Sequence, residues 1–181
     1  MKTKDMILTA MLTAVLAVLS IINIPMPSGV PITLQTFAVA LCGYVLGSKW
    51  GALSTFLYVL IGTIGVPVFA GMQAGVGILL GPTGGFLFGF IPMAFLAGLG
   101  IKSKNKIMPV IWGMLGLVVC HILGTVQFSI VTGTGFGASF LLVSVPYLVK
   151  DVLSVIGAVL VAVAVRKGLR SANLLSHEQA A

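Results

Sequence analysis

The chain has 181 residues, the length of one modest domain, yet 59% of it is hydrophobic and 7% is charged, where a soluble domain carries about 25% charged residues. Too little polar surface remains to enclose a core in water, so lipid must be the solvent for most of it. The net charge of +7 sits in small basic clusters between apolar runs, the pattern that orients membrane helices, and no basic stripe interleaved with aromatics marks a nucleic-acid face.

Taken in chain order, the apolar runs predict an all-α integral membrane protein, a bundle of six transmembrane helices. Lys2 and Lys4 precede the first run, Met6–Ile24. It is long and no small-residue A-x-A pattern follows it, so it reads as a retained helix rather than a signal peptide. Its Ala10-x-x-x-Ala14 stretch, continued by Ala17, permits close helix approach, either within the bundle or by a partner. Asn23 reads as a helix-end residue. The connection Pro25–Pro31 leads to a second run, Thr33–Leu46, and Lys49 separates it from a third, Trp50–Ile64. A straight span takes about 20 residues, so these two either extend into their flanks or re-enter. A long Gly-rich connection, Gly65–Gly81, precedes the fourth run, Thr83–Leu99. The cluster Lys102, Lys104 and Lys106 follows, then the fifth run, Ile107–Val131, the connection Thr132–Gly137 and the sixth run, Phe140–Val165. Arg166, Lys167 and Arg170 close the transmembrane domain, residues 1–170, and residues 171–181 read as a short polar cytoplasmic tail that frays.

The charges support six crossings. With the N-terminus inside, every basic residue except Lys150 falls on the cytoplasmic side, and both termini are cytoplasmic; five crossings break that pattern. The three outer connections are uncharged and apolar. Irregular backbone of that kind is tolerated near membrane depth where it is buried in protein or lines a cavity, so a cavity or plug is expected on the outer side.

Lys150 and Asp151 are the charges that lie well inside a run, where ionisable groups are costly and candidates for function. With Arg166 at the inner interface and 1.5 Å per residue, Lys150 lies about 24 Å and Asp151 about 22 Å above it, in a core of about 30 Å. Adjacent residues point roughly 100° apart on a helix, so each is expected to need its own partner. Lys150 either snorkels to the outer headgroups or meets a ligand. Asp151 shares a stripe with Tyr147 and Ser154, and either bonds other helices or serves a site. Gln35, Gln73, Gln127, Thr33, Thr36 and Thr83 offer directional hydrogen bonds in the outer half, to a ligand or between helices. His121 stands alone in its run and reads as packing. Cys42 and Cys120 read as small hydrophobes.

No G-x-x-x-x-G-K-[ST], nucleophile elbow, H-E-x-x-H or Cys/His metal spacing is present, so no ATP hydrolysis, catalytic residue, metal or cofactor is expected, and the chain reads as a non-enzyme.

Four strings resemble the BioY family of biotin transporters: Pro31-Ile-Thr-Leu-Gln-Thr36, Gly62-Thr-Ile-Gly-Val-Pro-Val-Phe-Ala70, Gly75-Val-Gly-Ile-Leu-Leu-Gly-Pro-Thr-Gly-Gly85 and Pro146-Tyr-Leu-Val-Lys-Asp151. The resemblance runs from about residue 5 to residue 168. It implies a six-helix substrate-binding S component of an energy-coupling-factor (ECF) vitamin importer, in a prokaryotic cytoplasmic membrane. Such a component works with a transmembrane coupling subunit, EcfT, and two ABC-type ATPases. The resemblance also implies that Ala10 and Ala14 meet the coupling subunit, and that Asp151 takes part in binding biotin. Two features depart from the family pattern: the lysine directly precedes the aspartate, where many members place it three residues later, and Gln127 stands where a Trp is common. The expected substrate-binding set is Asp151, Lys150, Gln35, Gln73, Thr83 and Tyr147. Asp151 would accept from the ureido N–H groups of biotin and Lys150 would meet its carboxylate. The alternatives are an S component for thiamine or riboflavin, an intramembrane enzyme using Asp151 and His121, and a scaffold whose charges only pack helices.

Overall fold

The computed structural model describes residues 3–103 and 105–175; Lys2, Lys104 and the tail from residue 176 lie outside the described residues. The first apolar run forms α1 (Thr3–Ile21). Its buried stripe, Leu8, Thr9, Thr13, Leu16 and Ser20, follows the helical repeat. Hydroxyls on that stripe return hydrogen bonds to their own helix, Thr9 to the Asp5 carbonyl (2.7 Å) and Ser20 to the Leu16 carbonyl (2.6 Å), so both are satisfied without a partner helix. The opposite face exposes Ile7, Met11 and Val18.

Asn23 does not end the helix. It pairs with Thr33 in a two-residue antiparallel ladder, β1 (Asn23–Ile24) with β2 (Ile32–Thr33), which closes the Pro-rich connection into a hairpin. The two short runs form short helices. They become α2 (Gln35–Leu46) and α3 (Ser48–Thr63), joined by Gly47 alone. Eleven of the twelve residues of α2 are buried, which makes it the central helix, packed against α1, α3, α5 and α8. A helix wrapped by others needs no match to the bilayer thickness. Arg166 donates from Nη1 to the carbonyls of Tyr44 (3.2 Å) and Val45 (3.0 Å), satisfying the free C-terminal end of α2.

The Gly-rich connection is folded rather than loose. It holds a 3₁₀ turn (Ala70–Met72) and a short helix, α4 (Val76–Leu80). Phe69 is driven against Tyr58, ring centroids 5.6 Å apart, and its ring lies where a Cβ on Gly62 would stand, 2.2 Å away. That contact accounts for the glycine opening the second string. α5 (Gly84–Gly100) and α6 (Met108–Thr132) form the most extensive helix pair. A Cβ on Gly85 would lie 2.3 Å from the Leu123 carbonyl oxygen, so this glycine lets the two backbones approach, while Gly84 makes room for the Leu79 carbonyl of α4. Between helices in lipid, such close packing replaces the hydrophobic drive that water supplies elsewhere.

The sixth run is broken. α7 (Phe136–Val143) ends at Ser144 and α8 (Val145–Ser171) restarts with Pro146 in its first turn. Pro146 has no N–H to continue the ladder, which places the break there. The start of the tail is not frayed: Lys4 Nζ donates to the Asn173 carbonyl (2.6 Å), and Leu175 packs on the core. Among the described residues, α1, α6 and α8 are long and apolar enough to cross a membrane, and α2 and α5 are shorter apolar helices.

Candidate functional site

A cavity of about 670 Å³ opens at the end of the bundle where the connections 25–31, 65–81 and 132–137 gather. That volume is in the range of small-molecule sites, about 300–1,000 Å³. All six expected site residues, Gln35, Gln73, Thr83, Tyr147, Lys150 and Asp151, line it, as do Thr33, Thr36 and Asn23. Its apolar wall comes from Phe69, Phe86, Leu87 and Phe90.

Backbone contacts place the polar groups. Gln35 begins α2; its amide donates to the Tyr58 hydroxyl (2.8 Å) and its carbonyl accepts from the Thr33 hydroxyl (2.9 Å). Tyr147 donates to the Val30 carbonyl, and its hydroxyl lies 2.8 Å from that of Ser28. The first connection is thereby tied to α8. Gln73 sits in the bridge that returns to Phe69, and Thr83 precedes α5. Gln127 does not line the cavity. Its amide donates to the carbonyls of Leu79 and Gly81, both at 2.8 Å, and so pins the end of the second connection to α6.

The two charges have separate partners and also meet each other. Lys150 Nζ forms an ion pair with Asp151 Oδ1 and donates to the Thr33 carbonyl at 3.1 Å. Although the two Cβ vectors diverge, the four-carbon stem of lysine is long enough to curl back to its neighbour. Nor does Lys150 snorkel away: its side chain is 28% exposed at the cavity wall, against 6% for Asp151. Ser154, on the same stripe, is half-buried and outside the cavity.

The residue that sequence reasoning missed is His121. Its Nε2 lies 3.2 Å from Asp151 Oδ2 and its Nδ1 2.9 Å from Ser144 Oγ, which in turn lies 2.9 Å from Thr125 Oγ1. It is buried, lines the cavity, and meets Phe86 edge to face. The available signal was the i, i+4 pair His121 and Thr125 on one helix face, but nothing in the sequence said which helix that face would meet.

A basic side chain, a buried carboxylate and an apolar wall suit a small ligand with polar and apolar parts. The sequence profile of the BioY family matches residues 1–171. The chain belongs to the BioY family. It is 37% identical to a probable biotin transporter BioY of Pyrococcus horikoshii over 162 residues, covering 90% of this chain and 96% of that one. A biotin transporter BioY of Thermotoga maritima is 36% identical over 175 residues, 91% and 96% of the two chains. Among solved structures, the S component for biotin from an ECF-type ABC transporter superposes with a TM-score of 0.84, at 26% identity over 92% of this chain and 95% of that one. The fold is therefore that of an all-α membrane protein. The four strings that carry the resemblance to the BioY family converge on the cavity, through Thr33 and Gln35, Phe69, Thr83, and Tyr147 with Asp151.

Proposed function

We propose that this chain is the substrate-binding S component of an ECF-type vitamin importer and that its ligand is biotin. The observation that carries this reading is the paired Lys150 and Asp151 facing a phenylalanine-rich wall across one cavity, in a fold shared with an S component for biotin. Biotin has two ureido N–H donors, a carbonyl acceptor, an apolar ring and chain, and a carboxylate. Asp151 accepts from the ureido N–H groups, and the phenylalanine wall receives the ring and chain. Lys150 has three N–H donors. One faces Asp151 and one Thr33, which leaves one for an acceptor on the ligand. Because the ammonium covers Oδ1, a swing of Lys150 toward the ligand also uncovers that oxygen for a ureido N–H. Gln35, Gln73, Thr83 and Tyr147 complete the polar lining.

The chain acts as a transporter subunit, not an enzyme, and borrows energy from two ABC-type ATPases through a transmembrane coupling subunit. Ala10 and Ala14 meet that subunit; both are exposed rather than packed in the bundle. It crosses the cytoplasmic membrane of a prokaryote six times with both termini inside. The test is calorimetric titration of the purified chain with biotin, thiamine and riboflavin. Saturable binding of biotin alone is expected. Binding of thiamine or riboflavin in its place, or no response to biotin, overturns the reading.

A further inference from the structure

We propose that His121 is a positioning residue for ligand recognition: it holds the Asp151 carboxylate in one orientation, and the hydroxyls of Ser144 and Thr125 hold His121. The inference rests on Asp151 receiving the ligand, as proposed above. Three separate segments build the arrangement. His121 and Thr125 lie one turn apart on α6, Ser144 occupies the break between α7 and α8, and Asp151 lies two turns further along α8 on the same face as Ser144.

For a neutral imidazole, the direction of every hydrogen bond follows from the carboxylate. Asp151 Oδ2 accepts, so His121 Nε2 carries the proton and donates across 3.2 Å. In the neutral ring Nδ1 is then the acceptor, so the Ser144 hydroxyl donates to it, and Thr125 donates to Ser144. The edge-to-face contact with Phe86 fixes the plane of the ring. The chain of donors is buried throughout: His121 is 4% exposed and Thr125 and Ser144 are at 0%.

This arrangement assigns the two carboxylate oxygens. Oδ2 belongs to His121, Oδ1 has the Lys150 ammonium beside it, and the Thr36 hydroxyl also faces the carboxylate. Remove the imidazole, and the carboxylate is free to turn both oxygens to Lys150, which neutralises it and presents it wrongly to a ligand N–H. A site whose acceptor is held before the ligand arrives loses less ordering entropy on binding.

The test is a double-mutant cycle read by biotin titration, with thermal unfolding of each variant as a check on folding. His121→Leu removes the donor and should weaken binding about tenfold or more, the effect of losing a hydrogen bond to a charged group. His121→Gln places an amide N–H near the former Nε2 and should recover most of that loss, whereas the shorter His121→Asn should not. In the Asp151→Asn background, His121→Leu should change affinity by less than about threefold, because the group it positions is gone. Equal losses from His121→Leu in both backgrounds, or equal binding by the Gln and Asn variants, would overturn the proposal. Should His121→Leu fail to fold, the Gln and Asn pair still decides, and misfolding of all three would assign His121 to the fold instead. A wild type that does not bind biotin defeats the function proposed above. A wild type that binds, an Asp151→Asn that does not, and an unaffected His121→Leu defeat this inference alone.

Discussion

Replacing Asp151 by Asn perturbs the proposed site with the least change of shape. The side chain keeps its size, but one oxygen becomes an NH₂ group. In the structure both oxygens face cationic or N–H donors, His121 Nε2 at 3.2 Å and the Lys150 ammonium. The amide therefore points a donor at a donor on one side, and the ligand loses a charged acceptor. A hydrogen bond to a charged group contributes about 1.5–3 kcal/mol net. At 1.4 kcal/mol per decade, binding of biotin should weaken by about 10–150-fold. Stability should fall less than affinity. Lys150 loses its counter-ion, but its side chain is 28% exposed and retains the Thr33 carbonyl. Calorimetric titration gives the first quantity and thermal unfolding in detergent the second. An Asn variant that unfolds at the wild-type temperature and binds biotin with wild-type affinity refutes the role given to Asp151.

Lys150→Met should reduce the preference for biotin over biotin amide, measured by competition, because the free ammonium donor meets the ligand carboxylate; an unchanged preference removes Lys150 from the carboxylate site. Trp at Ala10 and Ala14 should weaken co-purification with the coupling subunit and leave biotin binding intact, because both alanines are exposed; lost biotin binding would show that they pack within the bundle. A cysteine at exposed Thr134 should be labelled from outside the cell and one at exposed Ser103 should not, with Cys42 and Cys120 silent because both are buried; external labelling at Ser103 contradicts six crossings. Gln127→Leu strips two hydrogen bonds from the Leu79 and Gly81 carbonyls, at about 1 kcal/mol each; faster amide exchange in residues 76–81 and faster biotin release should follow, and unchanged exchange would remove Gln127 as their anchor.

Hydropathy is a property of neighbouring residues, so the six apolar runs fall on α1, α2, α3, α5, α6 and α8, to within a few positions at most ends. What escaped was local chemistry with a distant cause. The sixth run divides at Ser144 because Pro146 cannot continue the ladder, and a hydropathy reading passes over a proline inside an apolar stretch. The brevity of α2 left its role open, since a helix of twelve residues is too short for a span by length alone; its burial on every side decides it as the centre of the bundle.

The candidate site divides the same way. Asp151, Lys150, Gln35, Gln73, Thr83 and Tyr147 were identifiable because polar groups are rare in so apolar a chain and expensive in lipid. The structure places all six on the lining of one cavity. The partners were not identifiable. The divergence of adjacent residues on a helix argued that Lys150 and Asp151 stand apart, and the flexible lysine stem brought them together. Lys150 also meets Thr33, 117 positions away, and His121 meets Ser144 and Asp151 on another helix. The sequence by itself determined which groups are costly to bury, because that depends on their own chemistry and their apolar neighbours. Only the tertiary structure decided which of them meet, because a buried donor finds its acceptor through the packing of helices far apart in the chain.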